Sequence, residues 1–391
     1  MTWRTMDVRE QRVRFVVRAS RGEESFSALC REFEISRPTG YLWLGRYEQQ
    51  GVVGIEAQSR RPHHSPERTP AACEQQVVEL RRQRPDWGAR KLQVLLERQG
   101  TKLARRTVHR ILVRHGLVRE EASHPPAPGR FEREAPNQLW QMDFKSPKGW
   151  DTPVGPLSVL DDHSRYLVAL EQTGSTRAEA VRERLESAFA ACGVPEEMLM
   201  DHGTPWWNAQ APSGWTWLTV WLMKQGIVCR FGRYRHPQTQ GKVERFHGAL
   251  EMARRRRGLP VAEERQRWLD EFRQEYNHLR PHEALGGRTP ATVWRPSNRS
   301  YNPAPPEWDY GSDAEVQRLG VNGQLKLQHR WWPVSDALSG EAVQLIRIAE
   351  RVLVYYCRSL VREIDLAAQR STAVDRWAQP STCKGCGGNA V

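Results

Sequence analysis

The sequence has no run of about 18 consecutive apolar residues, which excludes a membrane-spanning helix. Met1 to Glu10 is polar and holds no apolar signal core, so a cytoplasmic protein with no membrane partner is expected. Cysteine is scarce: seven residues in 391, an odd number. Cys30, Cys73, Cys192, Cys229 and Cys357 stand alone, as suits a reducing compartment. Cys383 and Cys386 form the one CxxC, in a Gly-rich tail with no second pair or histidine pair nearby, so zinc is not expected there. Acidic residues are outnumbered, 46 against 59 Lys and Arg, for a formal net charge of +13. A surplus of that size favours a polyanionic partner, because neutralised phosphates release condensed counterions. A hydrophobic fraction of 39% excludes a disordered tail protein. At roughly 150 residues per domain the length suggests two or three domains.

The N-terminal third reads as helical. Val13, Val16 and Val17 recur at helical spacing. Phe26 to Phe33 and Ile35 to Leu44 predict a short helix, a turn near Glu34 to Ser36 and a second helix, with Ser36 as its cap and Pro38 in its first turn. The pattern resembles a helix-turn-helix, whose second helix enters the major groove. Its outward candidates for DNA are Arg37, Thr39, Tyr41 and Arg46. An ordinary helical hairpin with a solvated face would show the same spacing. Residues 58–70 are polar and Pro-rich and read as a linker. A second unit follows over 71–122: a helix from Glu74 to Arg84, a Pro85-Asp-Trp-Gly88 turn, and helices from Ala89 to Gln99 and Arg105 to His115. Arg90, Lys91, Arg105 and Arg106 are its candidate DNA contacts.

Ser123 to Gly129, with three prolines, marks the main boundary, within a linker at 123–134. Beyond it the pattern turns mixed. Gln138 to Phe144 alternates as a strand, and Leu157 to Leu170 reads as a hairpin turning at Asp161 to Arg165. Arg177 to Cys192 predicts a helix, Glu197 to Asp201 a strand, Thr216 to Gln225 a helix, Ile227 to Phe231 a strand and Gly241 to Arg257 a long helix. That order predicts an α/β layer fold of RNase-H-like type over 135–295. After a linker at 296–315, short β-rich segments over 316–370 predict a small β-barrel, and 371–391 a flexible tail. The expected fold class is multidomain: all-α helix-turn-helix units, a central α/β core and a C-terminal small β-barrel.

Asp143 and Asp201 each end a predicted strand, and Glu244 lies in the first turns of the long helix. Carboxylates so placed can converge on one point. Hard divalent ions take oxygen ligands and keep open positions for phosphate, and two of them about 4 Å apart can clamp an in-line displacement at phosphorus. No Ser, Tyr or Cys nucleophile is then required. An isolated strand-end Asp is more often a turn cap, so the surrounding sequence matters.

Asp201-His-Gly-Thr-Pro205 and His236-Pro-Gln-Thr-Gln-Gly-Lys-Val-Glu-Arg-Phe-His247 resemble the catalytic core shared by retroviral integrases and bacterial insertion-sequence transposases. Trp140-Gln-Met-Asp-Phe144, Val159 to Arg165 and Tyr276 to Leu285 match the same family, and the resemblance runs from about Gln138 to Pro290. It implies that Asp143, Asp201 and Glu244 are catalytic and hold the metal, two Mg²⁺ or Mn²⁺ ions per active site. It also implies that Gln240 and Lys242 touch DNA near the reacting phosphate. It further implies a DNA transposase that binds element ends, cleaves there and joins the 3′-hydroxyl to target DNA, as a homo-multimer on double-stranded DNA in the bacterial nucleoid. Two departures stand out. His202 replaces the usual Asn, and the gap from Asp201 to Glu244 is several residues longer than common, which throws the conformation of the Trp-rich stretch from Trp206 to Trp217 open.

Several residues carry two readings. Asp161 and Asp162 are turn residues or rival metal ligands. His236 and His247 are phosphate contacts or supporting histidines. Arg254 to Arg257, a four-arginine run closing the long helix with Arg254 and Arg255 as its named DNA candidates, are phosphate contacts or a solvated cap suited to the helix dipole. Trp206, Trp207, Trp215, Trp217 and Trp221 fill a core or stack on a displaced base. A catalytically silent DNA-binding regulator with the same fold is the alternative function.

Overall fold

The computed structural model describes residues 7–56, 68–118, 132–211, 213–232 and 241–374. The chain divides into two compact units, Met1–Thr69 and Pro70–Val391. In the first, α1 (Val8–Arg21), α2 (Phe26–Glu32) and α3 (Arg37–Gln50) close on Phe15, Val16, Leu29, Cys30 and Ile55. The Ser36 hydroxyl accepts from the Thr39 amide at 3.3 Å and starts α3. Gly40 lets α3 cross closely: a Cβ there would lie 2.8 Å from Cys30 Sγ and 2.9 Å from the Phe15 ring.

The second unit begins with α4 (Ala71–Gln83), α5 (Ala89–Arg98) and α6 (Arg105–Arg114) around the fully buried Trp87. Buried Arg81 reaches across this trio, donating to the carbonyls of Trp87 and Leu117. Apolar residues of α5 and α6 recur every three to four positions, so one stripe of each helix is buried against Trp87 and the rest faces outward.

A five-stranded mixed sheet follows, in the order β3-β2-β1-β4-β5. Its strands are β1 (Leu139–Phe144), β2 (Leu157–Asp161), β3 (Leu167–Glu171), β4 (Glu197–Met200) and β5 (Val228–Phe231). β1, β2 and β3 pair antiparallel, while β4 and β5 run parallel to β1. Side chains alternate across β1. Trp140 and Met142 enter the cluster that includes residues of α7 (Ala178–Cys192) and α8 (Trp217–Lys224). Gln141 and Asp143 take the opposite face, beneath α9 (Gly241–Arg257). There Val243, Phe246, Leu250 and Ala253 of α9 pack with Leu269 and Phe272 of α10 (Arg265–Gln274) on Leu160, Leu167 and Leu170. Helices thus cover both faces of the mixed sheet, which fits the expected α/β layer core.

α10 continues into a π-helical turn, Glu275–Leu279. The extra residue in that turn carries Asn277 inward, where its amide accepts from the Leu167 N–H at 2.8 Å and donates to the Leu167 carbonyl at 3.0 Å. Asn277 so closes the outer edge of β3 as a further strand would.

The C-terminal region departs from the expected barrel. An antiparallel sheet runs in the order β12-β11-β10-β9-β6, built from β6 (Glu315–Arg318), β9 (Ala342–Ile348), β10 (Arg351–Tyr356), β11 (Ser359–Asp365) and β12 (Arg370–Ala373). β7 (Gln324–Leu327) and β8 (Arg330–Pro333) pair only with each other, and β6 and β12 stay as open edges, so hydrogen bonding does not close the strands. The apolar side of this sheet finds its cover on the central domain instead. Leu345, Val354 and Val361 share one buried cluster with Trp215, Trp221 and Phe231, so the pressure to close on itself is relieved.

Candidate active site

Asp143 lies near the C-terminal end of β1, and Asp201 follows β4 directly, so the two parallel strands deliver both carboxylates to one edge of the sheet. Glu244 stands on the first turn of α9, exposed. Asp143 feels the other two. The Asp143 carboxyl is pushed up to about 7, first by burial, next by the Asp201 charge, with a smaller push from Glu244. Burial also raises Glu244. Among the described residues no group of three or more His, Cys, Asp or Glu is gathered as a ready chelate. The donors are all carboxylate oxygens, and the buried Asp143 carboxylate lies among negative charge that a cation would offset, so in type the set fits a hard divalent ion.

Several neighbours orient this set. Trp206 is almost fully buried, and its indole N–H donates to Asp201 Oδ1 at 2.6 Å, beside the Gly203 amide at 2.9 Å. Its ring stacks on Phe144, centroids 5.5 Å apart, so the residue after Asp143 holds the tryptophan that aims Asp201. Gln141, two residues before Asp143 on the same face, accepts from the Val243 amide at 3.3 Å and so engages one of the open N–H groups in the first turn of α9. The other end of the same amide donates to Asp162 at 2.8 Å. His247, one turn beyond Glu244, meets Ser158 at 3.1 Å and lies 3.7 Å from Asp143. Burial, helped by the charge of Lys145, pushes this imidazole down to about 3, so it is neutral and its approach to Asp143 is a contact rather than an ion pair.

The rival aspartates are occupied structurally. Asp161, fully buried, accepts from the Asn137 and Ser164 amides, each at 2.7 Å, and from the Ser164 hydroxyl at 2.5 Å, which is turn chemistry. Asp162, also fully buried, accepts from the Arg133 amide and from Gln141, and pairs with Lys242 Nζ at 2.6 Å. Lys242 therefore faces the protein here, and burial pushes its ammonium down to about 8. Gln240, His236 and the CxxC lie outside the described residues.

The other DNA candidates separate by position. Arg37 and Tyr41 are exposed on α3, with Tyr41 stacked on Phe26 at 4.2 Å. Thr39 is spent on capping with Ser36, and Arg46 lies over Trp43 at 5.1 Å. Arg105 and Arg106 are exposed on α6. Arg90 and Lys91, by contrast, sit where α5 meets the central domain. Arg90 pairs with Glu283, and burial followed by the charge of Arg280 pushes Lys91 down to about 8. Arg254 and Arg255 both pair with Glu251 at 2.7 Å.

The tryptophans of the long Asp201–Glu244 gap line a seam. Trp206 and Trp215 are buried, and the Trp215 indole donates to the Val361 carbonyl of the C-terminal sheet at 3.3 Å. Base stacking by these two is therefore replaced by packing, while Trp217 remains partly exposed. Gln141, Trp206 and Asp162 were not singled out as orienting residues from sequence. The signal for Gln141 was the strand period of two, which puts it on the face of Asp143.

Residues 133–237 and 225–290 match the integrase core domain family; residues 11–63 match a helix-turn-helix domain and 39–112 a homeodomain-like domain. The chain is 24% identical over 249 residues to an uncharacterized 31.7 kDa protein of insertion element IS407 from Burkholderia multivorans, covering 61% of this chain and 87% of that one. It is 26% identical over 238 residues to an uncharacterized 39.2 kDa protein of insertion element IS476 from Xanthomonas euvesicatoria, covering 58% and 66%. Similar solved chains include one from a simian T-cell lymphotropic virus intasome bound to a PP2A regulatory subunit (17% identity, 71% of this chain and 91% of that one, TM-score 0.35). The HTLV-2 integrase catalytic core in complex with magnesium is another (15%, 41% and 97%, TM-score 0.32). Helix-turn-helix domains ahead of an integrase core domain, with relatives encoded by insertion elements, support the resemblance to insertion-sequence transposases with an integrase-like core.

Proposed function

We propose that the protein cleaves DNA at the ends of its element and joins the freed 3′-hydroxyl to target DNA, with Asp143, Asp201 and Glu244 as the catalytic carboxylates. One observation supports the reading: beyond the effect of burial, Asp143 has its proton affinity raised by the charges of both Asp201 and Glu244, which places carboxylates 101 positions apart in sequence within electrostatic reach of one another at the sheet edge. These three would hold two divalent ions, Mg²⁺ or Mn²⁺. When bound, such ions supply charge stabilisation at phosphorus and a more acidic attacking hydroxyl or water. The chain's own groups prepare the site. Trp206 points Asp201, Gln141 ties the turn that carries Glu244, and neutral His247 adds no positive charge to compete with a cation. Arg105 and Arg106 on α6, and Arg37 and Tyr41 on α3, are the proposed element-end contacts. Lys242 would meet phosphate by exchanging Asp162 for it, and Gln240 is a further proposed DNA contact. Because two ends must be joined together, a homo-multimer on DNA is proposed. Among the described residues no helix is long and apolar enough to cross a membrane.

The test is a strand-transfer assay with labelled element-end DNA, a target plasmid, and Mg²⁺ or EDTA. Joined product that requires the metal and vanishes in Glu244→Gln, with end binding retained, supports the enzyme. Tight binding by both proteins without nicking or joining in Mg²⁺ or Mn²⁺ selects the silent regulator.

A further inference from the structure

The turn between α4 and α5 places Asp86 where it is only 4% exposed. Among the described residues its side chain has no hydrogen-bond partner within its own three helices. Its partners come from the central domain. Arg257 Nε and Nη2 reach Asp86 Oδ1 at 2.8 and 2.6 Å, and Arg280 Nη1 reaches Oδ2 at 3.4 Å. Arg257 also holds Glu275, at 2.6 and 3.1 Å, in the π-helical turn. Around this centre, Arg256 donates to the Pro85 carbonyl, Arg98 donates to the carbonyls of Leu279 (3.2 Å) and Gly287 (2.9 Å), and Arg90 pairs with Glu283.

The placement of these contacts is informative. Arg257 closes α9, the helix whose first turn carries Glu244, so a rod of thirteen residue steps, roughly 20 Å at 1.5 Å per step, connects the two. On the far side, α5 gives its Arg90, Lys91 and Arg98 to the central domain, while α6 leaves Arg105, Arg106, His109 and Arg110 exposed. A buried, charged junction adds little net stability but punishes misplacement, because a slip of either element strands Asp86 or Arg257 without a partner in a dry interface. An apolar junction would slide more readily.

We propose that Asp86 is a positioning residue that locks the second helix-turn-helix unit to the α9 rod, so that the base-pair distance between the DNA segment read by α6 and the phosphodiester that is cut is set by the protein rather than by a flexible tether. The proposal rests on the transposase reading above. Arg256 and Arg257 thereby leave the set of DNA-facing arginines and join the interior.

The test compares the full-length protein with Asp86→Ala and with the conservative Asp86→Glu. Element-end duplexes carry zero, one or two extra base pairs between the segment protected by the second unit and the cleavage point. Each added pair moves the cut by ~3.4 Å along the strand. The wild type is expected to lose about 100-fold in cleavage rate on the two-pair insertion, the penalty for ångström-scale misplacement. Asp86→Ala is expected to cut native and shifted substrates at similar rates and at scattered positions, with end affinity unchanged in EDTA, and Asp86→Glu to restore part of the spacing rule. A merely stabilising Asp86 would leave cut position and spacing dependence as in the wild type, and that result overturns the proposal. Independently of cleavage, fluorophores introduced through unnatural amino acids at His109 and Arg245 should show a broadened distance distribution in Asp86→Ala without DNA. An unchanged distribution refutes the lock. If the wild type cuts no DNA while the distribution broadens, the transposase reading fails and the lock stands.

Discussion

Replacing Trp206 by Phe isolates one interaction. The substitution keeps an aromatic ring against Phe144 and removes the indole N–H that meets Asp201 Oδ1 at 2.6 Å. A hydrogen bond to a charged group contributes about 1.5 to 3 kcal/mol. Asp201 is exposed, so water takes over part of the lost donation and the lower end applies, about 1.5 kcal/mol. Loss of ring volume at a position only 1% exposed adds a cavity contribution of about 1 kcal/mol. Urea unfolding in EDTA should therefore show Trp206→Phe less stable by about 2 to 3 kcal/mol, summing those two contributions. Misorientation of Asp201 should also slow strand transfer by about 10- to 100-fold at saturating Mg²⁺, an effect of the size seen when groups supporting metal ligands are removed. End binding in EDTA should not change. Equal stability and equal joining in Trp206→Phe would refute the idea that this indole aims the carboxylate. Lower stability with normal joining would reduce Trp206 to packing alone.

Other outcomes follow from the same geometry. The Asp143 carboxyl is raised to about 7 from an ordinary value near 4, so the folded, metal-free protein binds a proton there that the unfolded chain has released. The sign is then fixed: this group's contribution to stability declines as pH rises from about 4 to about 7, and apparent Mg²⁺ affinity climbs over the upper part of that window; Asp143→Asn should flatten the melting-temperature slope measured in EDTA. Asn277→Ala should cost about 2 to 6 kcal/mol, since both buried backbone groups of Leu167 lose their partner at about 1 to 3 kcal/mol each; chemical denaturation measures it. Alanine at Arg105 or Arg106 should weaken element-end binding and lower the slope of log affinity against log salt by about 1 each, read by anisotropy titrations at several salt concentrations.

Much of the architecture was legible in the chain. Alternation in Gln138 to Phe144, and the cap and proline at Ser36 and Pro38, are local signals, and they predicted β1 and the start of α3. The two strand-end aspartates and the helix-borne Glu244 could be named because each sits in a distinctive run of neighbours. What they touch could not be read, since Asp201 and Trp206 meet through a loop whose length departs from the common spacing. The split among arginines was equally hidden. Arg105 and Arg90 look alike in sequence, both at the start of a basic amphipathic helix, and only packing turns one outward and the other onto Glu283. The C-terminal strands carried a correct alternation but no information on closure, because an open sheet becomes stable only when a neighbouring domain covers it. By itself, then, the sequence determined the periodic elements and the basic character and nominated the three carboxylates, all from residues near one another in the chain. The tertiary structure alone decided that Asp86 is buried against Arg257, 171 positions away, because whether a charge is solvated or paired depends on the surface folded against it.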